Sequence, residues 1–452
     1  MKIVFVNQPI DTITPPYQSS VGACTYGAAR PLAKFCEVAV YGLKDRHPGA
    51  QSIVVDENVK FQFLPSTPTD RLLYGTHARY SRVFQTHSPI SSSRWLYPDF
   101  ARRVAIELGK QQCDVIHIQH SSQYAPVMRM FNPSAKIVLH LHAEWFSQNN
   151  PAVLERRLRH VDLLTTVSDY ITEKTRREFP GLADRCETTS NGIDAGEFSR
   201  EPDCRAIREQ KGKRIFYSGA ISPHKGVHVL LDAFRMVVER YPNVRLDIAG
   251  SAGTYPLEET FDVNDETAIK SIARLYAKSR LSRVRAKLRL APPDAGTYQS
   301  YLKSKVAGKI AGKVSFLGFI PRPDLIERYY AADVFAFAPI WNEGFGLPPL
   351  EAMAAGVPVV ASRSGAVVET VKDQATGILV EKNDAEGLAE GLLKLLEDED
   401  LRESMGRAAR QRALEYFTWD KIAERMYSRY RALCGMTEEA EPEPLKSGHT
   451  AA

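Results

Sequence analysis

The stretch WNEGFGLPPLEAMAAGVPVVAS, Trp341–Ser362, is the part of this 452-residue chain that says most about its fold. It carries two carboxylates, Glu343 and Glu351, separated by a glycine-rich run and a pair of prolines. Proline is tolerated in the first turn of a helix and glycine is common just after the last, so the stretch predicts a loop and then a short helix over residues 348–355. Glu351 is then expected in the first turn of this helix.

This loop and helix start predict a binding site for polar oxygens. The first four N–H groups of a helix have no acceptor within it, and a loop with little side-chain bulk exposes its own amides. Such a donor cluster suits hydroxyls or phosphate oxygens, and carboxylates beside it would accept from hydroxyls. The alternative is an ordinary strand-loop-helix turn in which Glu351 only complements the helix dipole.

The residues EGFGLPPLEAMAAGVPVVAS closely resemble the donor-site signature of family 4 glycosyltransferases, which are retaining enzymes. The resemblance implies an α/β fold of two Rossmann-like domains facing across a cleft, the GT-B architecture, with a C-terminal helix that crosses back to the first domain. It implies metal-independent transfer of a hexosyl unit from a nucleoside-diphosphate sugar, with UDP- or GDP-sugars as the expected donors. The acceptor would be a hydroxyl of a glycan, a lipid-linked or a small-molecule compound.

The resemblance also assigns roles within the signature. Glu343 would hold the transferred sugar together with four backbone amides, those of Gly344, Phe345, Gly346 and Leu347. Glu351 would hold the ribose hydroxyls, and the backbone at Gly318 and Phe319 would line the nucleobase. No nucleophile triad is apparent, so electrostatic stabilisation and positioning are expected to supply most of the rate enhancement. A covalent role for Glu343 is the alternative.

A second motif, Gly219–Gly226, supplies a candidate cation. The family pattern is a glycine-arginine turn followed by lysine-glycine, with both cations on the donor diphosphate. This chain keeps Lys225 but has Ala220 where the arginine belongs. A diphosphate carries about two negative charges, which Lys225, backbone donors and helix starts would have to meet. Arg322 or Arg363 could supply the missing guanidinium, and a degenerate site is the other alternative.

Two candidates lie in the first half of the chain. His142 follows a predicted strand, Lys136–Leu141, and resembles the family histidine that bonds the 6-hydroxyl of the reacting sugar; His140 could be aligned instead. These histidines and Glu144 also resemble a metal pair, but no cysteine or properly spaced third histidine follows, so no metal is expected. Gly22 resembles one of two family glycines facing the diphosphate and sugar, and the alternative is a plain strand-to-helix connection.

Short apolar strands alternate with amphipathic helices along most of the sequence, which predicts two mostly parallel sheets. Residues 1–198 are predicted to form an acceptor-side N-terminal domain, 199–213 a linker, and 214–418 a nucleotide-sugar-binding domain with a basic insertion over 252–313. Residues 419–434 would form the crossover helix and 435–452 a disordered tail. In the resembled family, acceptor recognition varies in the N-terminal domain, here in Thr67–Pro98.

The amino-acid composition and charge indicate which kinds of partner the protein can have. With 44% hydrophobic and 25% charged residues and a net charge of +5, the chain is globular and has no strong polyelectrolyte partner. Residues 270–313 contain twelve Lys or Arg against one acid, Asp294. This excess could contact an anionic acceptor or a peripheral membrane surface, and the alternative is a solvated helical insertion. No base-stacking aromatic module accompanies it, so no nucleic-acid partner is expected.

The six cysteines include no C-x-x-C pair, which argues against a zinc site or a disulfide framework and favours a reducing compartment. No apolar run reaches the roughly 18 residues that cross a bilayer. We therefore expect a cytoplasmic protein, which could also contact the inner face of the membrane. We expect no cofactor, since the nucleotide sugar is a co-substrate. Two other classes fit less well: a sugar-nucleotide epimerase of the same architecture and a non-catalytic binding scaffold.

Overall fold

The structure is a computed structural model that describes residues 1–15, 19–47, 49, 51–84, 92–144, 146, 149–199, 212–252, 275 and 295–436. Most of the predicted linker, of the basic insertion and of the predicted tail lies outside the described residues. Within the described part, no helix combines the length and apolar character needed to cross a membrane.

The described chain contains strands and helices in alternation. The strands are β1 (Lys2–Val6), β2 (Glu37–Leu43), β3 (Ile53–Asp56), β4 (Val59–Leu64), β5 (Val115–Gln119), β6 (Lys136–Leu141), β7 (Leu163–Thr166), β8 (Cys186–Thr188), β9 (Lys213–Ser218), β10 (Val244–Ala249), β11 (Val314–Gly318), β12 (Val334–Phe337), β13 (Val359–Ser362) and β14 (Gly377–Val380). The helices are α1 (Ser20–Leu32), α2 (Pro68–Phe84), α3 (Pro98–Gln111), α4 (Ala125–Phe131), α5 (Pro151–Leu158), α6 (Asp169–Glu178), α7 (Val227–Arg240), α8 (Ala295–Lys305), α9 (Arg322–Tyr330), α10 (Leu347–Ala354), α11 (Val367–Thr370), α12 (Ala385–Glu397), α13 (Glu399–Tyr416) and α14 (Trp419–Leu433).

These elements form two compact units. Unit 1 comprises Met1–Gly192 with Trp419–Ala452, and unit 2 comprises Ile193–Thr418. The division falls earlier than the predicted boundary after residue 198, so Glu197 and Phe198 belong to unit 2. The last helix, α14, belongs to unit 1 and not to the unit that precedes it in the sequence.

Unit 1 is built on an eight-stranded sheet in the order β3-β4-β2-β1-β5-β6-β7-β8. Its strands pair in parallel except for β3 with β4. The central strands read as continuous apolar runs because helices cover both faces of a parallel sheet. The strand order reverses between β1 and β5, and ligands of open α/β sheets bind beyond the carboxyl ends of the strands at such a switch point.

One face of this sheet is covered by α1 and α14. Ile422, Met426 and Tyr430 from α14 are buried in one cluster with Ile3 and Phe5 from β1. The Tyr430 hydroxyl lies 2.5 Å from Nδ1 of the buried His117 on β5. Helix α14 is therefore part of the core of unit 1.

Unit 2 contains a six-stranded parallel sheet in the order β11-β10-β9-β12-β13-β14. The order reverses between β9 and β12, so the switch point lies at the carboxyl ends of these two strands. The loop after β9 contains Lys225, and the loop after β12 contains Trp341 and Glu343. The topology thus brings the two predicted donor-site motifs to the same edge of the sheet.

Candidate active site

The two loops at the unit 2 switch point are joined through their backbones. Pro223–Lys225 forms a 3-10 turn that ends at Gly226, whose φ is +69°. A Cβ atom on Gly226 would lie 1.7 Å from the carbonyl oxygen of Ala338, so only glycine fits this approach. The Ile340 N–H donates to the His224 carbonyl at 3.0 Å. Lys225 is therefore held at a fixed place beside the signature loop.

Lys225 forms an ion pair with the buried carboxylate of Glu343. The indole N–H of Trp341 donates to the same oxygen, Oε1, at 2.7 Å. The Lys225 ammonium also lies 4.7 Å from the centroid of the Trp341 ring, within cation-π distance. The structure thus brings together two predicted site residues and adds Trp341, which the sequence analysis did not assign.

The backbone of Glu343 is held by the loop that follows β13. The Ser364 hydroxyl accepts from the Glu343 N–H at 3.1 Å and donates to the Trp341 carbonyl. The Ala366 N–H donates to the Glu343 carbonyl at 2.9 Å. Gly365 has φ +50°, and a Cβ there would lie 2.3 Å from the same carbonyl oxygen. Sequence reasoning missed Ser364, although its position after a parallel strand could have indicated it.

The loop after Glu343 presents a run of backbone donors. Within the described residues, no protein acceptor takes a hydrogen bond from the N–H groups of Gly344, Phe345, Gly346 and Leu347. Gly346 has φ +88°, which turns the chain into α10. Four consecutive amides are thus available to an oxygen-rich ligand.

The signature helix differs from the prediction in two respects. We expected Glu351 in the first turn, but the helix begins at Leu347, so Glu351 is its fifth residue and lies beyond that turn. Pro348 and Pro349 occupy the first turn and have no N–H group, so the helix start offers fewer than the four donors expected. The first expectation was wrong because the left-handed Gly346 starts the helix one residue early, and the second was wrong because the two prolines have no N–H to donate. The loop amides therefore supply most of the donors.

Glu351 is held by two donors from α9. Arg322 Nη1 forms an ion pair with Oε1, and the Tyr329 hydroxyl donates to Oε2 at 2.7 Å. Arg322 also binds Glu197 with Nε, 3.1 and 3.2 Å from its two oxygens, and with Nη2 at 2.6 Å. Burial would lower the pKa of Arg322, but the charges of Glu351 and Glu197 raise it above its ordinary value.

The two arginines considered as substitutes at Ala220 both have carboxylate partners. Arg322 binds the two glutamates described above, and Arg363 pairs with Asp373 and, at 3.5 Å, with Glu381. The carbonyl of Ala220 accepts from the Tyr217 hydroxyl at 3.0 Å. In this structure both guanidinium groups are therefore already paired with carboxylates, and neither is left to replace the missing arginine at Ala220.

The residues predicted to line a nucleobase lie at the carboxyl end of β11. Gly318 has φ +69°, and a Cβ there would meet no heavy atom within 4 Å. Its carbonyl accepts from the Gly250 N–H at 2.7 Å. Phe319 is 66% exposed. This edge is open to a planar ligand, and the role of both residues stays a prediction.

In unit 1, the structure distinguishes the two histidines at the end of β6. His140 is buried, and its Nδ1 lies 2.8 Å from the Thr165 hydroxyl. His142 is partly exposed, and its Nε2 lies 2.7 Å from Oε1 of Gln119. The Gln119 oxygen is an acceptor, so Nε2 of His142 carries the proton and Nδ1 is left as an acceptor. Of the two, His142 is placed to meet a ligand.

Burial, with neighbouring histidines as a smaller cause, lowers the pKa of His142 well below its ordinary value. Burial likewise lowers the pKa of His140 to about 3. Both imidazoles are therefore neutral at physiological pH. Within the described residues, no group of three or more His, Cys, Asp or Glu side chains is arranged to hold a metal ion.

Gly22 is the third residue of α1 and is buried. A Cβ there would lie 1.8 Å from the carbonyl oxygen of Thr12, and the Gly22 N–H donates to the Ser19 hydroxyl at 3.2 Å. Packing alone accounts for a glycine at this position. Its predicted contact with a donor stays a prediction.

The basic insertion is only partly described. Lys305 pairs with Asp232 at 2.6 Å, and Lys309 pairs with Glu239 at 3.1 Å. Eight of its cations lie outside the described residues, namely residues 270, 274, 278, 280, 283, 285, 287 and 289. Its contact with a membrane or an anionic acceptor stays a prediction.

Two models of known protein families match the two halves of the chain. The model described as Glycosyltransferase Family 4 matches residues 25–197, and the model described as Glycosyl transferases group 1 matches residues 200–412. The chain belongs to glycosyltransferase family 4. The resemblance inferred from the signature is confirmed, and the protein is a glycosyltransferase.

Individual relatives agree with this assignment. This glycosyltransferase is 25% identical to phosphatidyl-myo-inositol mannosyltransferase of Mycolicibacterium smegmatis, over 75% of this chain and 76% of that protein. It is 32% identical to D-inositol 3-phosphate glycosyltransferase of Corynebacterium urealyticum, over 52% of this chain and 47% of that protein. The solved structure of Anabaena HepE in complex with UDP and glucose matches 96% of this chain and all of that one, with a TM-score of 0.66 and 18% identity. The predicted GT-B fold is confirmed.

Proposed function

We propose that this glycosyltransferase moves a hexosyl unit from a UDP- or GDP-sugar to a hydroxyl acceptor, with retention of anomeric configuration and without a metal ion. The observation that carries the proposal is the Lys225–Glu343 ion pair beside four unengaged loop amides at the unit 2 switch point. The anionic leaving group and the sugar hydroxyls would find their partners at one edge of the sheet.

The leaving group would be stabilised by charge and by backbone dipoles. As the bond from the anomeric carbon to the diphosphate breaks, its electron pair moves to the diphosphate oxygen. Lys225 and the loop amides would stabilise this charge, since donors in a preorganised site need little rearrangement. The acceptor oxygen attacks on the same face, and its proton passes to the departing diphosphate. With Ala220 in place of an arginine, the amides would carry a larger share of this stabilisation.

The sugar and the ribose would each meet a fixed carboxylate. Glu343 would accept from sugar hydroxyls, because Lys225 and Trp341 hold its side chain in one orientation. Glu351 would accept from the ribose hydroxyls, since each of its oxygens receives one protein hydrogen bond and retains a lone pair. His142, as a neutral acceptor at Nδ1, would take a hydrogen bond from the 6-hydroxyl of the sugar.

The relatives support a hydroxyl acceptor. Two of them are named for inositol phosphate and phosphatidylinositol substrates, and HepE was solved with UDP and glucose. We extend to this chain only the shared chemistry, a nucleoside-diphosphate sugar as donor and a hydroxyl as acceptor.

The proposal is tested by thermal-shift screening of UDP- and GDP-sugars, followed by mass spectrometry of reactions with polyol, glycan and lipid-linked acceptors. We expect stabilisation by one nucleotide class and a mass increase of one hexose, unchanged by EDTA. Proton NMR of the product should show the anomeric configuration of the donor. Glu351→Ala should abolish transfer while its circular dichroism stays that of the wild type. Donor conversion without any acceptor would instead indicate the epimerase, and wild-type turnover by Glu351→Ala would contradict the site.

A further inference from the structure

We infer that Arg322 is a positioning residue that fixes Glu351 for recognition of the nucleotide ribose, and that it is not a phosphate ligand. This inference rests on the proposed function, because it takes Glu351 as the acceptor of the ribose hydroxyls. It concerns a residue that lies outside the signature stretch.

The contacts of Arg322 use the planar guanidinium in two directions. Nε and Nη2 bind both oxygens of Glu197, and Nη1 binds Oε1 of Glu351. A fork of this kind matches carboxylate geometry and loses little freedom for each hydrogen bond formed. Arg322 thus links the two glutamates through one rigid, planar group.

The chain next to Glu197 is itself held in place. Glu197 precedes Phe198, whose carbonyl accepts from the Tyr330 hydroxyl at 2.9 Å and from Arg410 Nη2 at 2.6 Å. The guanidinium carbon of Arg322 lies 5.8 Å from the centroid of the Phe198 ring. To reach a phosphate, Arg322 would have to break its double contact with Glu197 and its pair with Glu351. The diphosphate role considered for Arg322 from the sequence is therefore unfavourable.

The contact of Arg322 with Glu351 helps to set the orientation of the Glu351 carboxylate. Arg322 binds Oε1 and Tyr329 binds Oε2, so both oxygens are fixed and each keeps a lone pair for a further donor. Two neighbouring ribose hydroxyls require such a pair of acceptors at a defined spacing. Because two carboxylates surround one guanidinium, the cluster retains negative charge and favours hydroxyl donors over anions.

The test measures how strongly binding depends on the ribose hydroxyls. Calorimetry would compare UDP with 2′,3′-dideoxy-UDP, and GDP with its dideoxy analogue, for the wild-type protein and Arg322→Met. We expect the wild type to bind the ribonucleotide about 10- to 100-fold more tightly, as expected for hydrogen bonds to a charged group. In Arg322→Met this ratio should fall to about 3 or less, while affinity for the dideoxy analogue changes by about 2-fold at most. A merely structural role would lower both affinities together.

Arg328→Met is the matched control. Arg328 lies on the same helix, pairs with Asp247 at 3.3 Å, and its side chain is 28% exposed against 31% for Arg322. This variant should keep the wild-type ratio. Arg322→Lys, which keeps the charge but not the fork, should give an intermediate ratio and replaces Arg322→Met if that variant does not fold.

The outcomes separate the inference from the proposed function. If the wild-type protein binds neither UDP nor GDP, the proposed function fails and the inference with it. If it binds one of them and the ratio is unchanged in both Arg322 variants, the inference alone is overturned. A ratio that falls equally in Arg328→Met would also overturn it, because the effect would then be one of helix stability.

Discussion

The ammonium of Lys225 and the carboxylate of Glu343 form an ion pair between the loops that follow β9 and β12. Their side chains are 19% and 7% exposed, so the pair is largely shielded from water. Removing one partner of such a pair leaves the other charge buried and uncompensated. The two residues are therefore expected to act together.

Lys225→Ala should abolish detectable transfer and weaken binding of UDP or GDP more than binding of the nucleoside. The reason is that only the diphosphate carries the charge that Lys225 would meet. Calorimetry with nucleoside and nucleoside diphosphate, alongside product analysis, measures this. Lys305→Ala is the control, since Lys305 also pairs with a carboxylate in unit 2 and its side chain is 16% exposed. Near-normal turnover in Lys225→Ala would contradict the assignment.

Trp341→Phe should lower kcat about 10- to 100-fold with little change in fold. The variant keeps an aromatic ring beside Lys225 but removes the N–H that donates to Glu343 at 2.7 Å, and a hydrogen bond to a charged group contributes about 1.5–3 kcal/mol. Steady-state kinetics measures the effect. Trp95→Phe, at an exposed position in unit 1, should behave as wild type. Equal kinetics for the two variants would show that the indole N–H is dispensable.

Gly365→Ala should reduce transfer while unit 2 stays folded, because its Cβ would lie 2.3 Å from the Glu343 carbonyl and displace that residue. Gly312→Ala is a close control, since Gly312 also has positive φ, +74°, but no heavy atom lies within 4 Å of its Cβ position. Both variants should lose stability from the strained backbone, Gly365→Ala more so because of the close contact, and only Gly365→Ala should lose activity. Activity lost equally in both would indicate that backbone strain alone is responsible.

His142→Ala should lower kcat/KM about 2- to 10-fold, by the same factor at every pH between about 6.5 and 8.5, because the hydrogen bond joins two neutral groups. Burial lowers the pKa of His142 well below its ordinary value, so the imidazole stays neutral across this range. A pH profile of wild type and variant checks the prediction, with His160→Ala as a control in unit 1. A loss that grows as pH falls through this range would mean that a protonated His142 is required.

Asp11→Asn should stabilise the protein, and more so at pH 8 than at pH 5. Burial raises the pKa of Asp11 from 3.8 to about 7. Its favourable contribution is therefore present below pH 3.8 and is lost as pH rises through 7, where the buried carboxyl must ionise. Above pH 7 the substitution should recover up to about 4 kcal/mol. Denaturant unfolding at the two pH values measures this, and a gain that is larger at pH 5 would refute it.

Asp45→Asn provides the opposite case. Hydrogen bonds from the hydroxyl and backbone N–H of Ser66 outweigh desolvation and lower the pKa of Asp45. The ionised form is therefore favoured in the folded protein, and this substitution should destabilise it at pH 8. The two variants together show that the effect depends on environment and not on charge removal alone.

The local parts of the fold and site could be predicted from sequence. Strand β6 was predicted over Lys136–Leu141 and is found there, since a short apolar run between polar turns specifies a buried strand. The Lys225-Gly226 turn and the loop after Glu343 are equally local, because glycines and prolines restrict the backbone near them. Such features depend on neighbours in the chain.

The remaining parts depend on contacts between distant residues. Arg322 was considered as a phosphate ligand, and its pairing with Glu351 and Glu197 could not be read from spacing. Trp341 and Ser364 hold Glu343 through one side-chain N–H and one hydroxyl, and neither carries a recognisable motif. Only three-dimensional placement distinguishes such supporting residues from other polar residues near a loop.

The membership of α14 in unit 1 has a consequence for the order in which the chain folds. Strand β1 is synthesised before unit 2, yet the face it shares with Ile422, Met426 and Tyr430 stays uncovered until the helix ending at Leu433 has left the ribosome. Unit 2 is continuous in sequence and can fold before that point. A premature stop before Trp419 would therefore leave unit 1 incomplete, although most of it is synthesised earlier, and would spare unit 2.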